Sequence, residues 1–207
     1  MKTVVIWDWD NTLADTKQAV KAGIEDVAQH FYLPPVTEED LKNVMTVHRG
    51  DFWQRSFGSR LMDGINYYIQ NYPKYAHLVT LFDGTISVLD YIYSQNVPQI
   101  ILSNKAHQNL IKEVCATKVN GYFEKIVGSD EIHGGKPELR FANYALQGIE
   151  HDRIVFIGDG LSDMQMASAL GAISICIGNH VPYDMPVDYR CDTISEVLPL
   201  LKTLLET

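Results

Sequence analysis

The 207-residue sequence has few cysteines, fewer cationic than acidic residues and no long apolar run. Its cysteines, Cys115, Cys176 and Cys191, are far apart and lack the spacing of metal ligands, as is typical of free thiols in a reducing compartment. The net charge of −9 argues against nucleic-acid binding, which needs clustered positive charge. No stretch approaches the roughly 18 apolar residues that span a membrane, so we expect no membrane partner.

The first apolar segment begins at Thr3, which leaves no room for a signal peptide and predicts a cytoplasmic protein. Hydrophobic residues make up 46% of the chain and charged residues 21%, as in ordinary globular proteins. The length suits one well-packed domain, or a domain with a sizeable insert. The sequence leaves both a monomer and a homodimer open.

Short apolar runs alternate with amphipathic segments in the second half of the chain. The runs predict strands at 98–102, 125–128, 153–157 and 172–177, with helices between them at about 106–116, 138–146 and 162–170. This alternation implies crossover units and a parallel sheet, which the first strand joins. The predicted fold class is α/β, with a doubly wound, mostly parallel sheet.

The segment between the first strand and residue 83 has a different pattern. Ala19, Ile24 and Val27 recur with helical spacing, and Thr37 followed by three acids is typical of a helix N-terminus. We therefore expect a helical cap inserted in the core. The predicted boundaries assign residues 1–14 and 84–207 to the core and 15–83 to the cap.

Polar side chains follow several of the predicted strands. In an open α/β sheet these positions border the crevice in which ligands bind. Two neighbouring carboxylates there repel each other unless a cation or a shared proton joins them, so the pattern indicates a divalent metal. Carboxylate oxygens are ligands that Mg²⁺ prefers. The residues concerned are Asp8, Asp10, Ser103, Asn104, Lys136, Asp159 and Asp163.

Four motifs in order make the chain similar to a known family. They are Asp-Trp-Asp-Asn-Thr at 8–12, Leu-Ser-Asn at 102–104, Lys-Pro at 136–137 and Gly-Asp-Gly-Leu-Ser-Asp at 158–163. The chain resembles the haloacid dehalogenase-like hydrolase superfamily, and within it the phosphoglycolate-phosphatase-like enzymes with a helical cap. The resemblance covers the whole chain and implies a Rossmann-like core.

The resemblance implies a role for each matching residue in catalysis. Asp8 is the expected nucleophile, which takes the phosphoryl group as an aspartyl-phosphate. Asp10 is expected to protonate the leaving oxygen and then to activate water. Ser103 and Lys136 are expected to hold the phosphoryl oxygens. Because a halide needs no proton to leave, Asp10 favours phosphoester chemistry over dehalogenation.

The same resemblance implies a magnesium site. Asp8, the backbone carbonyl of Asp10, and Asp159 are the expected ligands, with Asp163 anchoring the metal site. Gly160 departs from the family pattern, in which Ser or Thr usually follows the aspartate.

Three further residues are predicted to serve substrate binding: Thr12, which supports the first loop, Asn104 and Arg49. Arg49 or Arg55 would reach an anionic group of the substrate, because the arginine fork matches carboxylate and phosphate. A solvated helix face is the alternative interpretation of these arginines.

The predicted function is a Mg²⁺-dependent phosphatase that acts on a small phosphorylated metabolite. Two alternatives stay open. A phosphomutase of the β-phosphoglucomutase kind shares the motifs, and a catalytically silent binding protein would keep the site without turnover. The sequence does not identify the phosphate ester.

Overall fold

The computed structural model describes residues 1–45, 49–130 and 132–206. Its strands are β1 Thr3–Trp7, β2 Ala14–Asp15, β3 Thr80–Leu81, β4 Gln99–Ala106, β5 Lys125–Ser129, β6 Arg153–Gly158, β7 Ile173–Ile177 and β8 Tyr189–Cys191. Its α-helices are α1 Lys17–His30, α2 Glu38–Met45, α3 Arg49–Phe57, α4 Leu61–Asn71, α5 Thr85–Ser94, α6 His107–Ala116, α7 Leu139–Leu146, α8 Leu161–Leu170 and α9 Val197–Leu205. Short 3₁₀ segments include Gly58–Arg60, Tyr72–Leu78, Asn120–Tyr122 and Ile194–Glu196.

A parallel sheet in the order β5-β4-β1-β6-β7-β8 forms the centre of the described chain. Every neighbouring pair in it is parallel, and helices connect most successive strands. The predicted α/β fold class is therefore confirmed. Trp7 of β1 lies opposite both Ile101 of β4 and Ile157 of β6, so the polar residues that follow these strands emerge at one edge of the sheet.

The strand order reverses at β1. The chain adds β4 and then β5 on one side of this strand, returns to place β6 on its other side, and continues outward to β7 and β8. In doubly wound sheets, ligands bind at such a reversal, in the crevice at the carboxyl ends of the strands. Asp8 directly follows β1 and therefore lies at this crevice.

Alternate residues of β1 enter separate hydrophobic clusters on the two faces of the sheet. Val4 and Ile6 pack with α7 and α8, whereas Val5 and Trp7 pack with α5, α6 and α9. All four side chains are fully buried. A strand covered on both faces needs a continuous apolar sequence, which explains why residues 4–7 of β1 are all apolar. Each such burial contributes about 1.5–3 kcal/mol, so the strand that carries Asp8 is firmly anchored.

Helices α1 to α4 lie between β2 and β3 in the sequence, and these two short strands pair antiparallel. Helix α2 starts as expected, because the Thr37 hydroxyl accepts a hydrogen bond from the Asp40 amide and the Asp40 carboxylate accepts one from the Thr37 amide. The division into core and cap at residues 15 and 83 stays a prediction.

Several elements were not anticipated. These are the small β2–β3 pair, the helix α5, the edge strand β8 and the terminal helix α9. Among the described residues, no helix combines the length and apolar character needed to cross a membrane.

Candidate active site

Lys136 joins two carboxylates at the carboxyl edge of the sheet. Its Nζ donates to Oδ1 of Asp8 and to Oδ1 of Asp163, at 2.5 Å in each case. Asp8 continues the pairing of β1, since its amide donates to the Ile157 carbonyl at 2.8 Å, whereas Asp163 lies in the first turn of α8. All three side chains are buried. Residues from three distant parts of the chain thus form one charged group.

Backbone geometry around β6 fixes the orientation of Asp163. Its Oδ2 accepts a hydrogen bond from the Gly160 amide at 2.9 Å, so Gly160 supports the carboxylate through its backbone although it has no side-chain hydroxyl. A Cβ at Gly158 would lie 2.5 Å from Cγ of Asp163. Gly158 therefore gives Asp163 the space to pack over the end of the strand.

Asp159 completes a group of three buried acids with Asp8 and Asp163. One carboxylate oxygen from each lies within 4.8 Å of the other two. The Lys136 ammonium balances one of the three negative charges, and a divalent cation matches the two that remain. Mg²⁺ prefers such hard oxygen ligands. The donor set therefore fits a magnesium ion.

The pKa values of these acids reflect their burial first and the crowding of negative charge second. Burial raises the pKa of Asp8 to about 7, and repulsion from Asp163 adds to this effect while Lys136 opposes it. Burial also raises the pKa of Asp159 and that of Asp163. His180 lies at the rim, where its Nδ1 is 3.0 Å from Oδ2 of Asp159. A bound cation would offset the repulsion among the three acids and favour their charged forms.

Asp10 lies in a different electrostatic setting from Asp8. Its Oδ1 accepts hydrogen bonds from Lys105 Nζ at 2.7 Å and from the Thr16 hydroxyl at 2.5 Å. Burial would raise its pKa, but the Lys105 charge and these two hydrogen bonds lower it below the usual range. Two carboxyls two positions apart therefore have pKa values shifted in opposite directions, and in this arrangement Asp10 is the one that stays ionised.

Ser103 and Asn104 follow the apolar part of β4. The Ser103 hydroxyl is buried and accepts a hydrogen bond from the Lys105 amide at 3.2 Å. The Asn104 side chain accepts a bond from the Lys136 amide at 2.6 Å and donates one to the Lys136 carbonyl at 3.2 Å. Asn104 thereby fixes the backbone on which Lys136 stands.

A cavity of about 410 Å³ lies between the strand ends and helices α1 to α4. Asp10, Asn104 and Lys105 contribute polar groups to its lining, and residues such as Trp53 and Tyr68 contribute apolar walls. The cavity is therefore open to Asp10 on one side and has mainly apolar walls on the other.

Comparison with known proteins identifies the family. The family model of the haloacid dehalogenase-like hydrolases matches residues 5–177. This range includes all four motifs and the charged group around Lys136. This chain belongs to the haloacid dehalogenase-like hydrolase family. The predicted resemblance is confirmed.

Curated and solved relatives of this haloacid dehalogenase-like hydrolase cover nearly its whole length. A phosphoglycolate phosphatase from Chromobacterium violaceum is 23% identical over 220 residues, which cover 96% of each chain. The pyrophosphatase PpaX from Bacillus mycoides is 21% identical, with 97% of each chain covered. A haloacid dehalogenase-like family hydrolase from Streptococcus pneumoniae has a TM-score of 0.83 at 19% identity, over 97% of this chain and 98% of its own. At these identities the likeness shows the fold and leaves the substrate open.

The structure brings together most residues that the sequence predicted for this haloacid dehalogenase-like hydrolase. Asp8, Lys136, Asp159 and Asp163 converge, and Asp10 lies nearby with its carboxylate outside the group of three acids. The expected metal contact of Asp10 is through its backbone carbonyl and stays a prediction, as do the catalytic roles.

The substrate-binding roles of Thr12 and Arg49 stay predictions. The Thr12 hydroxyl is buried without a hydrogen-bond partner in the described part of the chain, and the loop is held instead by the Trp9 carbonyl, which accepts the amides of 12–14. The side chain of Arg49 lies outside the described residues. Arg55 pairs with Asp40 of α2, as expected for a helix surface.

Sequence reasoning missed the buried partner of Lys105. Lys105 Nζ donates to both oxygens of Glu113, at 2.7 and 2.8 Å. Glu113 lies between Leu110 and Val114 on the buried face of α6, and none of the three is exposed. A charged residue at an apolar position of an amphipathic helix is a signal that was available from the sequence.

Proposed function

We propose that the protein is a Mg²⁺-dependent phosphatase of small phosphorylated metabolites, which works through an aspartyl-phosphate on Asp8. The observation that carries the proposal is the position of Lys136 Nζ, 2.5 Å from carboxylate oxygens of both Asp8 and Asp163, with Asp159 completing the acidic group. The names of the phosphoglycolate phosphatase and pyrophosphatase relatives support phosphoryl chemistry.

In the first step a carboxylate oxygen of Asp8 attacks phosphorus, and the bond from phosphorus to the leaving oxygen breaks. Asp10 gives its proton to that oxygen. Lys136 and Ser103 hold the phosphoryl oxygens. Asp8, Asp159 and the Asp10 carbonyl would hold Mg²⁺, which when bound would offset the negative charge on the phosphoryl group and on Asp8.

In the second step water attacks phosphorus of the aspartyl-phosphate and gives its proton to Asp10. The bond between phosphorus and the Asp8 oxygen breaks, which frees phosphate and restores both carboxyl groups. The burial of Asp8 and Lys136 limits the access of bulk water, so their charges act on the phosphoryl group with little screening.

The test is hydrolysis of 4-nitrophenyl phosphate by the purified protein with Mg²⁺ or with EDTA. We expect turnover with Mg²⁺ and none with EDTA. Acid-quenched protein should retain phosphate that hydroxylamine removes, because acyl phosphates react with hydroxylamine. Asp8→Asn should lose both turnover and the protein-bound phosphate while keeping its circular dichroism spectrum. Turnover by Asp8→Asn would refute the mechanism.

The two alternatives have distinct outcomes in the same preparation. A phosphomutase would convert a sugar 1-phosphate when primed with the sugar bisphosphate and would release little phosphate. A silent binding protein would bind phosphate esters and turn over none of them. A panel of two-carbon phosphorylated acids, sugar phosphates, nucleotides and pyrophosphate identifies the substrate class. The cytoplasmic location and the choice between monomer and homodimer remain predictions.

A further inference from the structure

Glu113 is fully buried on α6, and each of its oxygens accepts two hydrogen bonds. Lys105 Nζ donates to both oxygens, the Tyr72 hydroxyl donates to Oε1, and the Trp9 indole donates to Oε2 at 2.6 Å. Four donors saturate a carboxylate. Its orientation is therefore determined by residues from the loop after β1, from β4 and from the segment that precedes β3.

This arrangement also determines where the Lys105 ammonium lies. An ammonium on a flexible four-carbon side chain has three donors and little intrinsic orientation. Two of the donors are taken by Glu113, and the third is directed to Oδ1 of Asp10 at 2.7 Å. The Lys105 side chain is 9% exposed, so protein groups hold the ammonium in place of water.

The Asp10 carboxyl is held on one oxygen as a result. Oδ1 receives both the Lys105 and the Thr16 hydrogen bonds. Across residues 1–45, 49–130 and 132–206, no hydrogen bond reaches Oδ2 of Asp10, and Asp10 lines the cavity. Oδ2 is thus the oxygen available for proton transfer, and its direction follows from the two bonds on Oδ1.

We infer that Glu113 is a positioning residue, which acts through Lys105 to aim Oδ2 of Asp10 at the leaving oxygen of the substrate. The inference rests on the proposed function, in which Asp10 is the general acid. Glu113 contacts no substrate itself. When Glu113 becomes Gln, one of the two oxygens that accept from Lys105 is replaced by an amide NH₂ and the negative charge is lost, so the ammonium no longer holds Oδ1 in one place.

Substrates with different leaving groups show whether the orientation of the Asp10 carboxyl affects the rate. An alkoxide is a poor leaving group and needs the proton as the phosphorus–oxygen bond breaks, whereas 4-nitrophenolate leaves without it. The value of kcat/KM reports the step in which the leaving group departs. A misaimed Asp10 therefore lowers kcat/KM for an alkyl phosphate and spares that for 4-nitrophenyl phosphate. A general loss of structure lowers both.

The experiment compares kcat/KM for an alkyl phosphate that the wild type hydrolyses with kcat/KM for 4-nitrophenyl phosphate. We expect Glu113→Gln to lower the alkyl value about 10- to 100-fold, part of the roughly 10²–10⁴-fold contribution of a general acid, with the aryl value within about threefold of wild type. Tyr72→Phe removes one donor to Glu113 and should shift the ratio in the same direction by a smaller factor. Asp10→Asn removes the acid itself and should give the largest change in the ratio of the alkyl to the aryl kcat/KM.

Gln99→Met is the matched control. Gln99 is also buried and accepts a tryptophan indole bond, from Trp7 at 3.1 Å, but it lies at the start of β4, away from Asp10. Its substitution should leave the alkyl-to-aryl ratio unchanged. Equal losses on both substrates in Glu113→Gln and an unchanged ratio in Tyr72→Phe would overturn the inference. Absence of wild-type turnover on either substrate would instead refute the proposed phosphatase.

Discussion

The Lys136→Met substitution removes an ammonium group that lies 2.5 Å from an oxygen of Asp8 and 2.5 Å from an oxygen of Asp163. Methionine follows nearly the same path as the lysine stem, so the change removes charge and donors with little change in volume. The three side chains are between 2% and 9% exposed, so water has little access to replace the lost contacts. Two carboxylates remain buried without their partner.

The expected loss follows from the cost of leaving a buried charge uncompensated. Removal of one member of a buried ion pair costs about 3–5 kcal/mol. We expect the free energy of unfolding, measured by urea titration at about pH 8 in EDTA, to fall by that amount. Lys74→Met is the matched control, because the Lys74 side chain is 48% exposed where it contacts Asp26 at 2.8 Å. That variant should lose at most about 1 kcal/mol.

The loss should depend on pH with a definite sign. Burial raises the pKa of Asp8 to about 7 already in the presence of Lys136. A carboxyl whose pKa is higher in the folded than in the unfolded state binds more protons when folded, so its charged form destabilises the protein as pH rises. In Lys136→Met the penalty should therefore shrink between about pH 8 and pH 5. A loss that equals the Lys74→Met loss, or that is constant over this range, would refute the reasoning.

Three further predictions concern the same site. Mg²⁺ at 100 times its dissociation constant should raise the free energy of unfolding by about 2.7 kcal/mol, and Asp159→Asn should abolish this increment in a urea titration. Gly158→Ala should cost about 1–3 kcal/mol and weaken Mg²⁺ binding in calorimetry, because its Cβ would overlap Asp163; unchanged Mg²⁺ affinity would contradict this. Asn104→Leu should lower kcat/KM about tenfold by releasing the Lys136 backbone, and wild-type kinetics would exclude that role.

The alternating part of the fold was predictable from the sequence because its strands are buried on both faces. The apolar run predicted at 153–157 is β6 Arg153–Gly158, and the helix predicted at 162–170 is α8 Leu161–Leu170. Strand β8 was missed because it is a three-residue edge strand that needs only one partner and no long apolar run. Helix α9 was missed although Pro199 in its first turn is compatible with a helix.

The candidate site was predictable where its residues follow strands, because parallel topology brings strand ends together. Asp8, Asp159 and Asp163 converge for that reason. The contacts of Glu113 were not predictable, since they join positions up to 104 residues apart whose meeting depends on how α6 packs. The pattern within α6 shows that Glu113 is buried, and the tertiary structure alone shows which groups it binds.

The pairing of β2 with β3 has a consequence for the evolution of this enzyme. Ala14 lies opposite Leu81, so the segment that contains helices α1 to α4 begins and ends at adjacent points. Any helical segment whose first and last residues lie as close together as Ala14 and Leu81 can be inserted there without moving the sheet. Changes in the length or sequence of these helices can therefore accumulate while the acids and the lysine keep their geometry.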